Sequence, residues 1–91
     1  MSTKLVYDSG EEIRLCGSET LAEITAEVRG ELTQEEVAER LGVSKQAISK
    51  AEDKRVGSSM NGLRVRIIRE VGNLHVGGPY WIVDRKEESL D

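Results

Sequence analysis

The chain has 91 residues, with 13 Lys and Arg against 17 Asp and Glu and a formal net charge of -4 at neutral pH. That length makes one small domain, and aromatic residues at 3% with no Phe leave Leu, Ile and Val to build a modest core that gains from a partner subunit. No run approaches the ~20 apolar residues of a membrane span and no signal-peptide pattern opens the chain, so a cytoplasmic location is expected; the single Cys16 excludes an internal disulfide and reads as a small half-buried hydrophobe.

In chain order, residues 4–7 and 12–15 alternate Leu5/Tyr7 and Ile13/Leu15 with other residues around Asp8-Ser9-Gly10-Glu11, which predicts a β-hairpin ended by Gly17-Ser18. A helix capped by Ser18 or Thr20 is expected to run to Arg29, with Leu21, Ile24 and Val28 on one stripe and Gly30 as its stop. Thr33 then caps a second helix, and Glu36 completes a capping box. Val37, Ala38 and Leu41 give that helix its apolar stripe, and Gly42 ends it in the left-handed conformation that glycine adopts most cheaply. Val43 tucks under the corner, Ser44 caps a third helix, and Ile48 and Ala51 point inward from it. The small Ala38 lets two helices meet steeply across the short turn.

After the polar loop KRVGSS, Ser58 or Ser59 caps a fourth helix to Val71, with Met60, Leu63, Ile67, Ile68 and Val71 on its stripe and Arg64, Arg66 and Arg69 off it. Gly72 stops it. Residues 74–76 and 80–83 read as a second hairpin around Gly77-Gly78-Pro79, followed by a charged tail from Arg85. The expected fold is mainly α with flanking β-hairpins: one domain over 1–91, made of an N-terminal hairpin (1–17), a four-helix core (18–72) and a C-terminal hairpin (73–84).

With Ile48 and Ala51 inward, Lys45, Gln46, Ser49 and Lys50 share the opposite face of the third helix, which carries long hydrogen-bonding and cationic side chains and no acid. Such a face fits a DNA major groove. The charge distribution agrees. Residues 44–69 hold seven Lys/Arg against two acids, whereas residues 1–43 hold four against ten and residues 70–91 two against five. An acidic remainder limits non-specific sticking and makes binding salt-sensitive.

Over residues 32–53 the sequence resembles the Cro/repressor-type (XRE-like) helix-turn-helix family, on Gln34, Val37, Ala38, Leu41, Gly42, Val43, Ser44, Ile48 and Glu52. The resemblance implies a regulator that binds double-stranded DNA in a sequence-specific way as a homodimer on a two-fold operator. It also implies that Gln34 approaches phosphate and that Lys45, Gln46 and Ser49 face base edges. Many relatives place an aromatic residue where Ala51 stands, and an Arg in the preceding helix to pair with the acid at Glu52, where this chain reads ITAEV. The stretch LRVRIIREVG leading into a strand resembles antitoxin-like members of the same family.

The expected base contacts are Lys45, Gln46, Ala47 and Ser49, with Gln46 matched to an adenine edge. Phosphate contacts are expected from Thr33, Gln34 and Ser44 near helix N-termini, and from Lys50, Lys54 and Arg55 by charge. The apolar residues Leu74, Val76, Tyr80, Trp81, Ile82 and Val83 suggest a dimer interface in which a strand pairs across the two-fold axis. The alternative is that the C-terminal hairpin folds back on the N-terminal hairpin and leaves dimerisation to the helices.

One His and one Cys make no usual zinc site, the serines have no nearby His for a triad, and Glu35, Glu36 and Glu39 read as a solvated helix face. No catalytic residue, metal or cofactor is expected, and the chain is not expected to be an enzyme. The leading expectation is a repressor of a small prokaryotic or phage operon. A second is an antitoxin that neutralises a partner protein and autoregulates its operon, and a third is a helix-turn-helix that serves only as a packing unit.

Overall fold

The computed structural model describes residues 3–6, 12–77 and 81–85. Its elements run β1 (Thr3–Val6), β2 (Glu12–Cys16), α1 (Ser18–Arg29), α2 (Gln34–Leu41), α3 (Lys45–Glu52), a 3-10 turn (Ser58–Met60), α4 (Asn61–Glu70), β3 (Leu74–Gly77) and β4 (Trp81–Arg85). The fold is mainly helical, with α2 and α3 joined by a tight turn. The turn expected at 8–11, the residues Gly78, Pro79 and Tyr80, and everything beyond Arg85 lie outside the described residues.

Local signals explain the α2–α3 unit. The Thr33 hydroxyl accepts from the Glu36 backbone N–H at 3.0 Å, and the Glu36 carboxylate accepts from the Thr33 N–H at 2.8 Å. Both bonds occupy donors that a helix start leaves without an acceptor. At the other end Gly42 has φ 70, the left-handed region, and its N–H reaches the last carbonyls of α2. The Ser44 Oγ then accepts from Ala47 N–H at 3.1 Å and starts α3. Neither Ser18 nor Thr20 caps α1: its N-cap is Gly17, with no side-chain cap bond, and both residues are already helical.

The strands form one antiparallel sheet in the order β1-β2-β4-β3. The N- and C-terminal strand pairs are joined through β2 and β4, where Cys16 pairs with Trp81, Leu15 with Ile82 and Arg14 with Val83. The C-terminal pair therefore folds back on the N-terminal pair within the chain, the alternative to strand pairing across a two-fold axis. Arg85, expected to begin the tail, is in register with Leu74 inside β4.

Two apolar clusters meet on α4. One gathers Cys16, Leu21, Ile24, Val65, Ile68, Val76 and Val83 between α1, α4 and the sheet. The other gathers Val37, Ala38, Leu41, Ile48, Ala51 and Ile67 under the α2–α3 unit, with Met60, Leu63 and Val71 half-buried against it. Val65 lies off the expected α4 stripe yet is buried, because a helix with neighbours on two sides is covered over more than one face. At the end of α4, a Cβ on Gly72 would stand 2.6 Å from Val28 Cγ1 and 2.8 Å from the Ile68 carbonyl oxygen, so only glycine lets the chain turn this close to α1.

Candidate nucleic-acid interface

The outer face of α3 is open. Lys45, Gln46, Ser49 and Lys50 are exposed, Ala47 is half-buried, and Ile48 and Ala51 are fully buried against α2. Among the described residues no side-chain bond is made by Lys45, Gln46, Ser49 or Lys50, so their donors and acceptors are free for an outside partner. Glu52 is the acid of this helix, and it points elsewhere. Its carboxylate accepts Arg29 Nε at 2.6 Å and Arg29 Nη2 at 3.1 Å, and also Gln34 Nε2 at 3.1 Å. Arg29 further donates to the Leu32 carbonyl at 2.8 Å. One carboxylate thus ties together the end of α1, the start of α2 and the end of α3. The hydrogen bonds to Glu52 raise the Arg29 pKa above its ordinary value against the opposing effect of burial. Arg29, directly after the ITAEV stretch, supplies the partner that the sequence reading left Glu52 without.

The three arginines of α4 do not add to the basic face. Arg64 is fully buried (0% exposed). Arg66 donates to the Leu41 carbonyl at 2.9 Å, closing the end of α2, and to Glu70 at 3.0 Å. Arg69 donates to the Val76 carbonyl at 3.0 Å and fastens α4 to β3. The cations of the 44–69 block that remain around α3 are Lys45, Lys50, Lys54 and Arg55. Two of these are already paired. Lys54 Nζ lies 3.3 Å from a Glu23 carboxylate oxygen. Arg55 grips Asp53 through Nε and Nη2, both at 3.0 Å, while its backbone N–H donates to the same carboxylate at 2.9 Å. Those bonds pull the Asp53 pKa from an ordinary 3.8 to about 2.

A family model described as helix-turn-helix matches residues 27–55, from the end of α1 through α3 into the basic loop. Residues 27–55 are a Cro/repressor-type helix-turn-helix. The chain thus carries the DNA-binding element of a transcription regulator of this type. Comparison with curated proteins gave no significant match, and comparison with solved structures gave none.

Within the helix-turn-helix, α3 holds the recognition position, and Lys45, Gln46 and Ser49 stand together on its open face. Ala47 is partly covered, and its N–H is held by Ser44, so only part of its methyl reaches outward. Thr33 and Ser44 are exposed at the N-termini of α2 and α3, each with its oxygen engaged as a cap. Gln34 is half-buried with its amide nitrogen on Glu52, and in the first turn of α2 the Glu36 and Val37 N–H groups are taken by Thr33, which leaves the Gln34 amide oxygen and the backbone N–H groups of Gln34 and Glu35 open.

The expected dimer-interface residues are placed differently. Val76 and Val83 are buried inside the chain's own core, at 7% and 4% exposure, and Leu74 packs against the same cluster. Trp81 and Ile82 belong to β4, which is hydrogen-bonded to β2 on one side and β3 on the other. With both its edges occupied, β4 cannot pair across an axis; the sheet edges are β1 and β3, and β3 is the strand that carries Leu74 and Val76. Tyr80 lies outside the described residues. The described residues contain no group of three His, Cys, Asp or Glu fit for a metal, and no helix long and apolar enough to cross a membrane.

Proposed function

We propose that this protein is a homodimeric repressor that acts in the cytoplasm on a two-fold operator of a small prokaryotic or phage operon, by binding rather than by catalysis. The carrying observation is the open face of α3, where Lys45, Gln46, Ser49 and Lys50 project without a competing acid because Glu52 is held by Arg29 and Gln34. One such helix spans only a few base pairs. Two of them about 34 Å apart read a palindrome and reach useful affinity. Occupying the operator would exclude polymerase. A selection from randomised duplexes with the full chain tests this: a palindromic consensus with half-sites one helical turn apart is expected, and recovery of no enriched sequence overturns it.

A second reading, an antitoxin that autoregulates its operon, draws on the acidity of residues 1–43, where ten acids face four bases. Such a surface suits masking a basic partner protein. Co-expression with the product of the adjacent gene separates the two readings. A stable stoichiometric complex supports the antitoxin, and two separately purified proteins support the simple repressor.

A further inference from the structure

Arg64 is the largest fully buried side chain among the described residues, and it has no carboxylate bonded to it. Each of its five N–H donors has its own acceptor. Nε donates to the Ala51 carbonyl at 2.7 Å; Nη1 to the Gly57 carbonyl and to Asn61 Oδ1, both at 2.9 Å; Nη2 to the Asp53 carbonyl at 3.0 Å and the Val56 carbonyl at 2.6 Å. Four of the five acceptors are main-chain carbonyls of one stretch, 51–57. That stretch is the last turn of α3 and the loop after it. Helix ends leave carbonyls without partners and carry partial negative charge, and a buried guanidinium answers both. The planar fork of arginine reaches all of these acceptors at once, which the single ammonium of lysine does not. The base of the clamp is fixed as well: Asn61 Nδ2 donates to Ser18 Oγ at the start of α1. Burying a cation is costly, but an apolar side chain here would leave these carbonyls without donors. What the cation adds is the path of 53–57, the segment that carries Lys54 and Arg55.

We propose that Arg64 is a positioning residue for DNA binding, which holds residues 53–57 so that Lys54 and Arg55 meet backbone phosphates beside the recognition helix. It never touches DNA itself. On binding, Lys54 and Arg55 exchange Glu23 and Asp53 for phosphate oxygens. The proposal rests on the DNA-binding reading and assigns a residue that neither the sequence motif nor the open face of α3 includes.

The test uses the full chain and a duplex of random sequence. Affinity is measured against salt for the parent, Arg64→Lys, the double variant Lys54→Ala/Arg55→Ala, and the triple variant, each at a temperature where its circular dichroism is that of the parent. Each lost phosphate contact flattens the log–log salt slope by about 0.9. The double variant should lose up to two such contacts. Arg64→Lys should lose a similar amount although its charge is kept, and the triple variant should match the double. A folded Arg64→Lys with the parent slope overturns the proposal. So does a further loss of slope in the triple variant, which would mean Arg64 acts without Lys54 and Arg55. If Arg64→Lys does not fold, Asn61→Ala takes its place, because it removes one acceptor of the clamp and its tie to Ser18. A flattened slope there supports the proposal and a parent slope overturns it. A parent that binds no duplex overturns the DNA-binding reading and this assignment with it.

Discussion

At the scale of single residues, the open and the engaged side chains predict different behaviour. Gln46 is exposed, and among the described residues nothing holds its amide. Gln46→Ala should leave the melting temperature unchanged and relax preference at one position per half-site, a discrimination of about 1–3 kcal/mol for a bidentate amide contact. An identical consensus from parent and variant in a randomised-site selection would remove Gln46 from the reading surface. Asp53 is the opposite case, since its carboxylate holds Arg55 back against the protein. Asp53→Asn should release Arg55 and tighten binding to any duplex at low salt, whereas weaker binding would show that Asp53 aids the complex. The same pair gives a pH signature. Its carboxyl pKa is depressed in the fold, so its stabilisation is complete above the ordinary 3.8 and is lost as pH falls toward about 2. Any stability difference between parent and Asp53→Asn that comes from this pair should therefore be constant from pH 5 to 8 and vanish in strong acid. A difference that changes around neutrality would assign it to another group.

At the scale of elements, the helix-turn-helix depends on one three-way junction. Glu52→Ala strands the Arg29 guanidinium and the Gln34 amide in a half-buried site, and losing hydrogen bonds to a charged group costs about 1.5–3 kcal/mol each before relaxation. A urea midpoint that falls by less than the measurement error would show that the junction is dispensable. Gly72→Ala attacks the packing of α1 on α4, where the added Cβ meets Val28 and the Ile68 carbonyl. Overpacking of this kind costs about 1–3 kcal/mol, and Val28→Ala in the same chain should recover part of it. The elements also show where sequence is sufficient. α2 and α3 are legible because Thr33, Glu36, Gly42 and Ser44 act within a turn of themselves, and Ile48 and Ala51 repeat at helical spacing. The Arg29–Glu52 pair spans 23 residues, and only geometry tells it from the exposed charges around it. Arg64 and Arg66 look alike in LRVRIIREVG, and their fates differ because one faces the gap below α3 and the other the end of α2. The pairing of β2 with β4 joins opposite ends of the chain, and nothing in either strand names its partner.

At the scale of the whole molecule, the sheet is part of the core rather than an appendage. Val76 and Val83 come from the last two strands and pack with Leu21, Ile24 and Ile68. Cutting the chain after Val71 should therefore abolish cooperative melting, and with it DNA binding, whatever the oligomeric state. A truncated chain that keeps a sharp thermal transition would contradict this assignment of the core.

The sharing of α4 between two clusters also bears on how the protein is removed. Ile67 belongs to one cluster and Ile68, its neighbour, to the other. Neither cluster survives without this helix, so there is no half of the molecule to open while the other half stands. For a regulator, the opening free energy of the whole then sets the rate at which a protease finds cleavable chain within residues 18–77, and small losses of stability shorten its lifetime directly. Limited proteolysis under native conditions should pass from intact 18–77 to small peptides without a persistent fragment. Turnover of the protein would then be tuned by substitutions far from the open face of α3.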